Sequence, residues 1–279
     1  MRPRHTLICL ALMGALNTAN AGLVEGLLAY QQGNFKIALR EWQPLAEQKH
    51  VLVQYKLGVM YFKGFGVPQD YKEAIKWFRL AAEQGDVPAQ VILGAMHYEG
   101  LGVPQDYKES ISWYRLAAEH GDAGAQYNLG LMYTNGQGVP QNYKEAAKWH
   151  HLAAEQGDAR AQYELALMYA QSLGVQEDFK EVSKWCRLAA EQGYARAQAS
   201  LGVMYSKGQG VPQDHVVAYA LFNLAAASTP SGDDSIVKLR NLFAAVITEK
   251  EIEAGQNLTR EMSDHPIEAI DRYLAMKKR

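Results

Sequence analysis

The sequence predicts an all-α protein, a right-handed α/α solenoid of two-helix repeats with a 36-residue period. The phrase GVPQDY stands at residues 66–71 and 102–107, and variants of it stand at 138–143, 174–179 and 210–215. Self-similarity at a period of about 20–50 residues marks a solenoid, whose units bury their apolar faces against their neighbours. Single residues keep the same spacing of 36: Trp77, Trp113, Trp149 and Trp185, and Leu57, Leu93, Leu129, Leu165 and Leu201.

Composition excludes several functional classes. The chain has 279 residues, a formal net charge of −2 and 21% charged residues, so nothing attracts it strongly to nucleic acid or to an anionic membrane. Its hydrophobic content of 48% is ample for a packed core. No apolar run after residue 21 approaches the ~18–20 residues that span a bilayer. We therefore expect no nucleic-acid partner and no transmembrane segment.

Residues 1–21 have the composition of a secretory signal peptide. Three of the first five residues are Arg or His, Leu7–Leu16 is a short apolar run, and Ala19-Asn20-Ala21 resembles a cleavage site. We predict cleavage after Ala21 and a periplasmic or secreted protein. The alternative is an uncleaved cytosolic N-terminus.

Cleavage would leave Cys186 as the only cysteine of the mature chain, so no intramolecular disulfide can form. The equivalent positions of other repeats hold Phe78, Tyr114, His150 and Phe222. We interpret Cys186 as a small buried hydrophobe rather than a reactive nucleophile.

Each repeat begins with a helix, here called helix A, and the unit starting at Asp86 illustrates the signals. Asp86 suits an N-cap, and Ala89, Leu93, Met96 and His97 fall on one helical face. Glycines and a proline then end the helix. A small residue recurs beside the apolar face and predicts a close approach of two helices: Gly58, Gly94, Gly130, Ala166 and Gly202.

The repeated phrase connects helix A to a second helix, called helix B. Asp106 is predicted as the N-cap of helix B, and Glu109 three residues later suggests a capping box. Helix B is expected to bury Ile111, Trp113, Tyr114, Ala117 and Ala118, and to end at Gly121. The repeated phrase therefore serves to end helix A and begin helix B, and it is not a catalytic loop.

The pattern A-x-x-x-L-G-x-M-Y-x-x-G-x-G-V-P-Q-D-Y-x-E-A-x-x-W-x-x-x-A-A-E-Q-G resembles the Sel-one-like repeat (SLR), a relative of the tetratricopeptide repeat with a longer loop between its helices. Five consecutive copies cover residues 51–228. Residues 22–50 resemble a degenerate first helix pair with a short turn. The resemblance implies an α-solenoid adaptor, often exported in bacteria, that binds other proteins.

Residues 229–279 depart from the period and are predicted to form a C-terminal helical cap, with a separate domain as the alternative. Thr248 and Glu251 predict a capping box, and Pro266 opens a last helix. The segment that precedes Thr248 is expected to form an amphipathic helix, whose apolar stripe consists of Ile236, Leu239, Leu242, Phe243 and Val246.

We find little that points to catalysis, a metal or a cofactor. No pair of histidines or cysteines has metal-ligand spacing, and the histidines replace aromatic or basic residues at amphipathic positions. Some cysteine-rich members of the family have been described as β-lactamases or penicillin binders, and Ser235-Ile236-Val237-Lys238 fits their S-x-x-K pattern. The companion motifs and the paired cysteines are absent, so we predict no enzyme and no cofactor.

The variable positions of helix A point to a candidate partner-binding groove. Helix A lines the concave face of two-helix solenoids, and aromatic and amide side chains there suit the capture of a peptide or helix. The alternative is that the aromatic rings only pack between repeats. The candidate residues are Tyr55, Lys56, Phe62, Tyr98, Tyr127, Asn128, Asn135, Tyr163 and Glu164.

The sequence thus predicts a non-catalytic protein- or peptide-binding adaptor acting in the bacterial periplasm or outside the cell. A penicillin-binding or β-lactamase-type hydrolase is one alternative. A self-assembling structural protein is the other.

Overall fold

The computed structural model describes residues 21–229 and 234–278, and every regular element in this part is an α-helix. The all-α solenoid of two-helix repeats is therefore confirmed. The signal-peptide prediction falls almost entirely on residues outside the described part. The helices are residues 21–31 (α1), Phe35–Glu47 (α2), Val51–Lys63 (α3), Tyr71–Ala82 (α4), Val87–Glu99 (α5), Tyr107–Glu119 (α6), Ala123–Asn135 (α7), Tyr143–Glu155 (α8), Ala159–Ala170 (α9), Phe179–Glu191 (α10), Ala195–Lys207 (α11), His215–Ser228 (α12), Ser235–Ala244 (α13), Glu249–Glu261 (α14) and Pro266–Lys277 (α15).

The helices fall into two compact units, Met1–Gly121 and Asp122–Arg279. In the first unit, the predicted N-terminal pair α1 and α2 packs on α3 through a core that includes fully buried Trp42 and Leu57. A second cluster joins α4, α5 and α6 around Phe78, Leu93 and Trp113. Within the described residues, no helix combines the length and the apolar character that a bilayer span requires.

The second unit has one large core that runs from the repeats into the C-terminal helices. Trp185, Tyr205 and Phe222 share it with Leu258 of α14 and Ile270 of α15. The predicted apolar stripe is only partly correct, because Ile236 is buried whereas Leu242 and Val246 are 69% and 76% exposed. The reason is that α13 ends at Ala244 and packs only one side on α12, so Val246 lies beyond the helix.

The repeated turn caps both helices that it joins. Gly100 takes the left-handed conformation at the end of α5 (φ 73°), and the Gln105 side chain donates to the Tyr98 carbonyl at 2.7 Å. Asp106 accepts the backbone N–H groups of Lys108 and Glu109 at 2.9 and 3.1 Å. These bonds satisfy backbone groups that helix ends leave without a partner.

The predicted Asp-x-x-Glu capping box is wrong, because only its first half forms. The Asp106 amide donates instead to the His97 carbonyl at 2.9 Å, so it has no need of the Glu109 side chain. The Glu109 carboxylate is free for other partners and accepts from Trp113 Nε1 at 3.1 Å and from Arg79 at 3.3 Å. The capping box of Thr248 and Glu251 is complete, as predicted.

The small residue of helix A does mark a close contact with helix B. The group that lies against it is an aromatic ring of helix B. A Cβ added at Gly94 would lie 2.8 Å from the Tyr114 ring. Gly58 and Phe78 repeat the contact in the first repeat, as do Gly202 and Phe222 in the fifth. In the fourth repeat both positions change together, and Ala166 and Cys186 share one buried cluster. A smaller partner leaves room for the extra methyl group of alanine.

Within each unit, a ladder of buried glutamines ties successive helix pairs together. Gln90 Nε2 donates to the Ala82 carbonyl of the preceding repeat at 3.1 Å, and Gln54 Nε2 donates likewise to Ala46 at 3.0 Å. Gln54 Oε1 in turn accepts from Gln84 at 2.7 Å. Position 120, equivalent to Gln84, holds histidine, and Gln90 Oε1 has no hydrogen-bond partner within residues 21–229 and 234–278. The buried members are Gln54, Gln90, Gln126, Gln162 and Gln198.

Helix α15 supplies a carboxylate that the fifth repeat lacks. In the first unit, Arg79 of one helix B pairs with Glu109 of the next at 3.3 Å. The residue equivalent to Glu109 in the fifth repeat is Val217, which offers no charge. Arg187 pairs instead with Asp271 of α15 at 2.6 Å. The C-terminal helix therefore replaces the contact that Val217 of the fifth repeat cannot make.

Candidate partner-binding surface

The nine predicted surface residues lie on helices A and are divided between the two units. Asn135 is exposed, and the other eight are half-buried. The first unit carries the residues on α3 and α5, namely Tyr55, Lys56, Phe62 and Tyr98. The second carries those on α7 and α9, namely Tyr127, Asn128, Asn135, Tyr163 and Glu164.

In the first unit, the predicted aromatic residues contact rings of neighbouring helices. Tyr55 lies 5.9 Å from Phe78 between ring centroids, and Tyr98 lies 5.2 Å from Tyr107. The Lys56 ammonium group stands 5.3 Å from the Tyr30 ring and 5.8 Å from the Tyr55 ring, within cation–π range. Part of each ring therefore serves packing while the rest stays accessible.

In the second unit, the tyrosines of α7 and α9 are held by side chains of the following helices. Tyr127 lies 5.7 Å from the His150 ring, and the Arg160 guanidinium group stacks on it at 4.3 Å. Tyr163 lies 5.4 Å from Tyr194. Rings fixed in this way lose little conformational entropy on binding a ligand, which makes them suitable anchors.

Burial and nearby charges shape the titration of this surface. Burial raises the pKa of the Glu164 carboxyl group, and the Arg196 charge opposes that shift. Burial also raises the pKa of Tyr127 and Tyr163, so both phenols stay neutral at physiological pH. The surface presents neutral hydroxyls, the amides of Asn128 and Asn135, and arginine side chains, which are groups that bind peptides by hydrogen bonding and stacking.

Arg160 and Arg196 also belong to this surface, although they were not among the residues predicted for it. They occupy equivalent positions in the fourth and fifth repeats, within the phrase ARAQ that stands at residues 159–162 and 195–198. Arg160 stacks on Tyr127 and pairs with Asp158 at 2.6 Å. Earlier repeats have Pro88 and Gly124 at this position. The recurrence of arginine there in two repeats was the feature of the sequence that could have indicated these residues.

The side chains considered for chemistry lie apart from this surface or are inaccessible. Cys186 is buried as predicted, and burial raises the pKa of its thiol to about 12. His97 and His150 are also buried, and neither ring has a hydrogen-bond partner in the part of the chain that the structure describes. Ser235 and Lys238 are exposed on the first turn of α13. In the described ranges, no three His, Cys, Asp or Glu side chains are grouped so that they could hold a metal ion.

Comparison with known proteins shows which family these repeats match. A family model described as Sel1 repeat matches residues 51–86, 87–122, 123–158, 159–194 and 195–229. No curated protein matches the chain.

Two solved structures resemble the chain over most of its length. One is a protective antigen present in uropathogenic Escherichia coli strains that displays an SLR fold, with a TM-score of 0.77 and 33% identity over 92% of this chain and 56% of that one. The other is a Sel1 repeat protein from Oxalobacter formigenes, with a TM-score of 0.74 and 29% identity over 85% of this chain and 98% of that one. The chain thus spans little more than half of the length of the E. coli antigen.

Proposed function

Because the chain belongs to the Sel1 repeat family, we propose that it is a non-catalytic adaptor that binds a protein or peptide partner through helices A and acts in the periplasm or outside the cell. Repeat solenoids have extended surfaces. The residues on one face can vary, while the residues that pack between repeats recur in every unit.

The observation that carries the proposal is the arrangement around Tyr127 and Tyr163 in the second unit. Each ring is half-buried, held by a ring of a following helix, and followed in the chain by a half-buried polar side chain, Asn128 or Glu164. Binding hot spots in protein interfaces are enriched in tyrosine and arginine anchors surrounded by groups that exclude water. The stacked Arg160 and Tyr127 pair supplies both anchor types at one place.

Substitutions on this surface are expected to weaken partner binding more than they weaken the fold. Tyr127→Ala and Tyr163→Ala remove aromatic anchors, each of which typically contributes about 2 kcal/mol or more to an interface. Asn128→Ala should have a smaller effect on affinity in the same direction. The measurement is a pull-down with the mature protein to identify a partner, followed by titration calorimetry and thermal melting of each variant.

Glu109→Ala is the matched control, since its side chain lies on helix B. The change removes the acceptor of the Trp113 indole N–H and of Arg79, and should cost about 0.5–1.5 kcal/mol of unfolding free energy. Affinity for the partner should stay unchanged. If the three surface variants melt early but bind normally, these side chains serve packing alone and the proposed surface is wrong.

The location outside the cytoplasm rests on the basic, apolar and small-residue segments of residues 1–21. The similar E. coli protein is described as a protective antigen, a property that suits a protein accessible to the host immune system. N-terminal sequencing of the protein from its native host should begin at Gly22. An intact Met1 on protein from the cytosolic fraction would contradict this location.

A further inference from the structure

A groove of about 760 Å³ lies between α10 and α15 in the second unit. Its surface is mostly apolar and includes Leu188 of α10 and Ile267 of α15. Leu188 is 44% exposed although it is a large hydrophobic residue. Leu80, Leu116 and Leu152 hold the same position on the other helices B and are similarly exposed, at 41–43%. The groove near Leu188 differs from those sites because α15 adds a second apolar wall.

That wall is fixed in place by several contacts. Asp271 pairs with Arg187 at 2.6 Å, and the Ile267 backbone N–H donates to the Glu191 carboxylate at 2.8 Å. Ala269 and Ile270 on α15 are fully buried in the core. The groove is therefore a permanent feature of this unit and not a gap left by a loosely attached helix.

Apart from Arg187 and Asp271, which pair with each other, the charged residues that line the groove are segregated by sign. Lys180 and Lys184 line it toward the N-terminal end of α10, and Glu191 and Glu268 line it toward the C-terminal end. Lys184 lies four residues before Leu188, and Glu191 lies three residues after it. At a rise of about 1.5 Å per residue, Lys184 and Glu191 are about 6 Å and about 4.5 Å from Leu188 along the helix axis.

We propose that this groove is the contact surface between two copies of the chain in a dimer with two-fold symmetry. A two-fold axis near Leu188 places the basic end of one groove against the acidic end of the other, so the surface is complementary to itself. Leu188 of each copy then enters the groove of its partner, and Lys184 of each copy faces Glu268 of the other. Apolar burial supplies affinity, while the paired charges set the orientation.

The charges that face each other in this exchange, Lys184 and Glu268, are available for it, whereas Glu191 already accepts from the Ile267 backbone N–H. Among the described residues, Lys180 forms no ion pair, and Lys184 and Glu268 pair only with neighbours on their own helices, half-buried Glu181 and exposed Arg272. Surface pairs of this kind typically contribute only about 0–1 kcal/mol, so replacing them with contacts across the dimer costs little.

Sedimentation velocity on the mature full-length chain, over a hundredfold range of concentration, tests the proposal. The wild type should show a reversible monomer–dimer equilibrium, and Leu188→Asp should weaken it by roughly a hundredfold, because a carboxylate would be buried against the partner. Leu80→Asp is the matched control, since it makes the same change at the equivalent position of α4 and should leave the equilibrium unchanged. A wild type that stays monomeric throughout overturns the proposal, as does a dimer that Leu188→Asp leaves intact.

A charge exchange separates this pairing from other modes of association. Lys184→Glu and Glu268→Lys should each weaken the dimer by about tenfold or more through like-charge contacts. The double variant restores opposite charges across the axis and should recover most of the lost affinity. If the double variant is no better than the single variants, the two grooves do not pair in this orientation and the proposal is wrong.

Discussion

Replacing Trp113 with alanine is expected to lower the unfolding free energy by about 3–5 kcal/mol. Trp113 is only 8% exposed and packs in a cluster with Phe78, Leu93 and Met96. Its indole N–H also donates to Glu109. Truncation thus removes a large buried ring and leaves a cavity that the neighbouring helices cannot close completely.

Urea unfolding followed by circular dichroism measures this loss. Trp149→Ala is the natural comparison, because Trp149 holds the equivalent position in the next repeat but is half-buried and should cost less. Stability in a solenoid depends mainly on nearest neighbours, so we also expect the Trp113→Ala transition to broaden or split. A loss below about 1 kcal/mol would show that the ring contributes little packing.

The second large effect concerns acid and the buried imidazole of His150. Neither ring nitrogen has a hydrogen-bond partner among the described residues, and burial lowers the pKa of His150 to about 4. In the unfolded chain, the pKa of a histidine is about 6.5. Between about pH 6.5 and about pH 4, the unfolded chain therefore binds a proton at this histidine more readily than the folded chain does. Stability is therefore complete above about pH 6.5 and is lost progressively as the pH falls toward about 4, by up to about 3 kcal/mol.

His150→Phe should remove most of this pH dependence and raise stability in acid. Phenylalanine already fills the equivalent positions 78 and 222, where it packs against the glycine of helix A as His150 packs against Gly130. Unfolding free energies of both proteins at about pH 7.5 and about pH 4.5 provide the test. His120→Gln is the control, since His120 is exposed and its loss should leave the acid sensitivity in place. Equal acid sensitivity in wild type and His150→Phe would contradict the assignment. His97 is also buried with a lowered pKa, so it should contribute in the same direction to the acid sensitivity that remains.

The sequence was sufficient to predict the helices because their signals are local. Asp106 caps α6, Gly100 ends α5, and the apolar positions follow one helical period, so each element is specified within a few residues. The same reasoning failed for Glu109. A capping box requires a free N-cap amide, and that amide is taken by a carbonyl of the preceding helix. Local spacing contains no information about such a competing partner.

The candidate surface was harder to predict for a related reason. The positions of Tyr127 and Tyr163 on helix A followed from the period, but the side chains that hold them, His150, Arg160 and Tyr194, come from later helices. The buried glutamine ladder was overlooked as well, since glutamine is usually exposed. Its regular recurrence after alanine, as at Gln90, was a usable signal, because a buried amide that recurs in every unit implies a backbone partner.

The contact between Arg187 and Asp271 limits how this gene can change its length. Tandem arrays grow and shrink by recombination that duplicates or deletes whole 36-residue units. Added copies of the first or second unit keep the arginine-to-glutamate contact seen between Arg79 and Glu109, because each of these units carries both residue types, Glu73 with Arg79 and Glu109 with Arg115. The third unit does not, since His151 replaces the arginine. A copy inserted between the fifth unit and α15 would separate Arg187 from Asp271 and leave it facing Val217 alone. The fifth unit and the helices after it must therefore be inherited together, as a fixed end of an otherwise extendable chain.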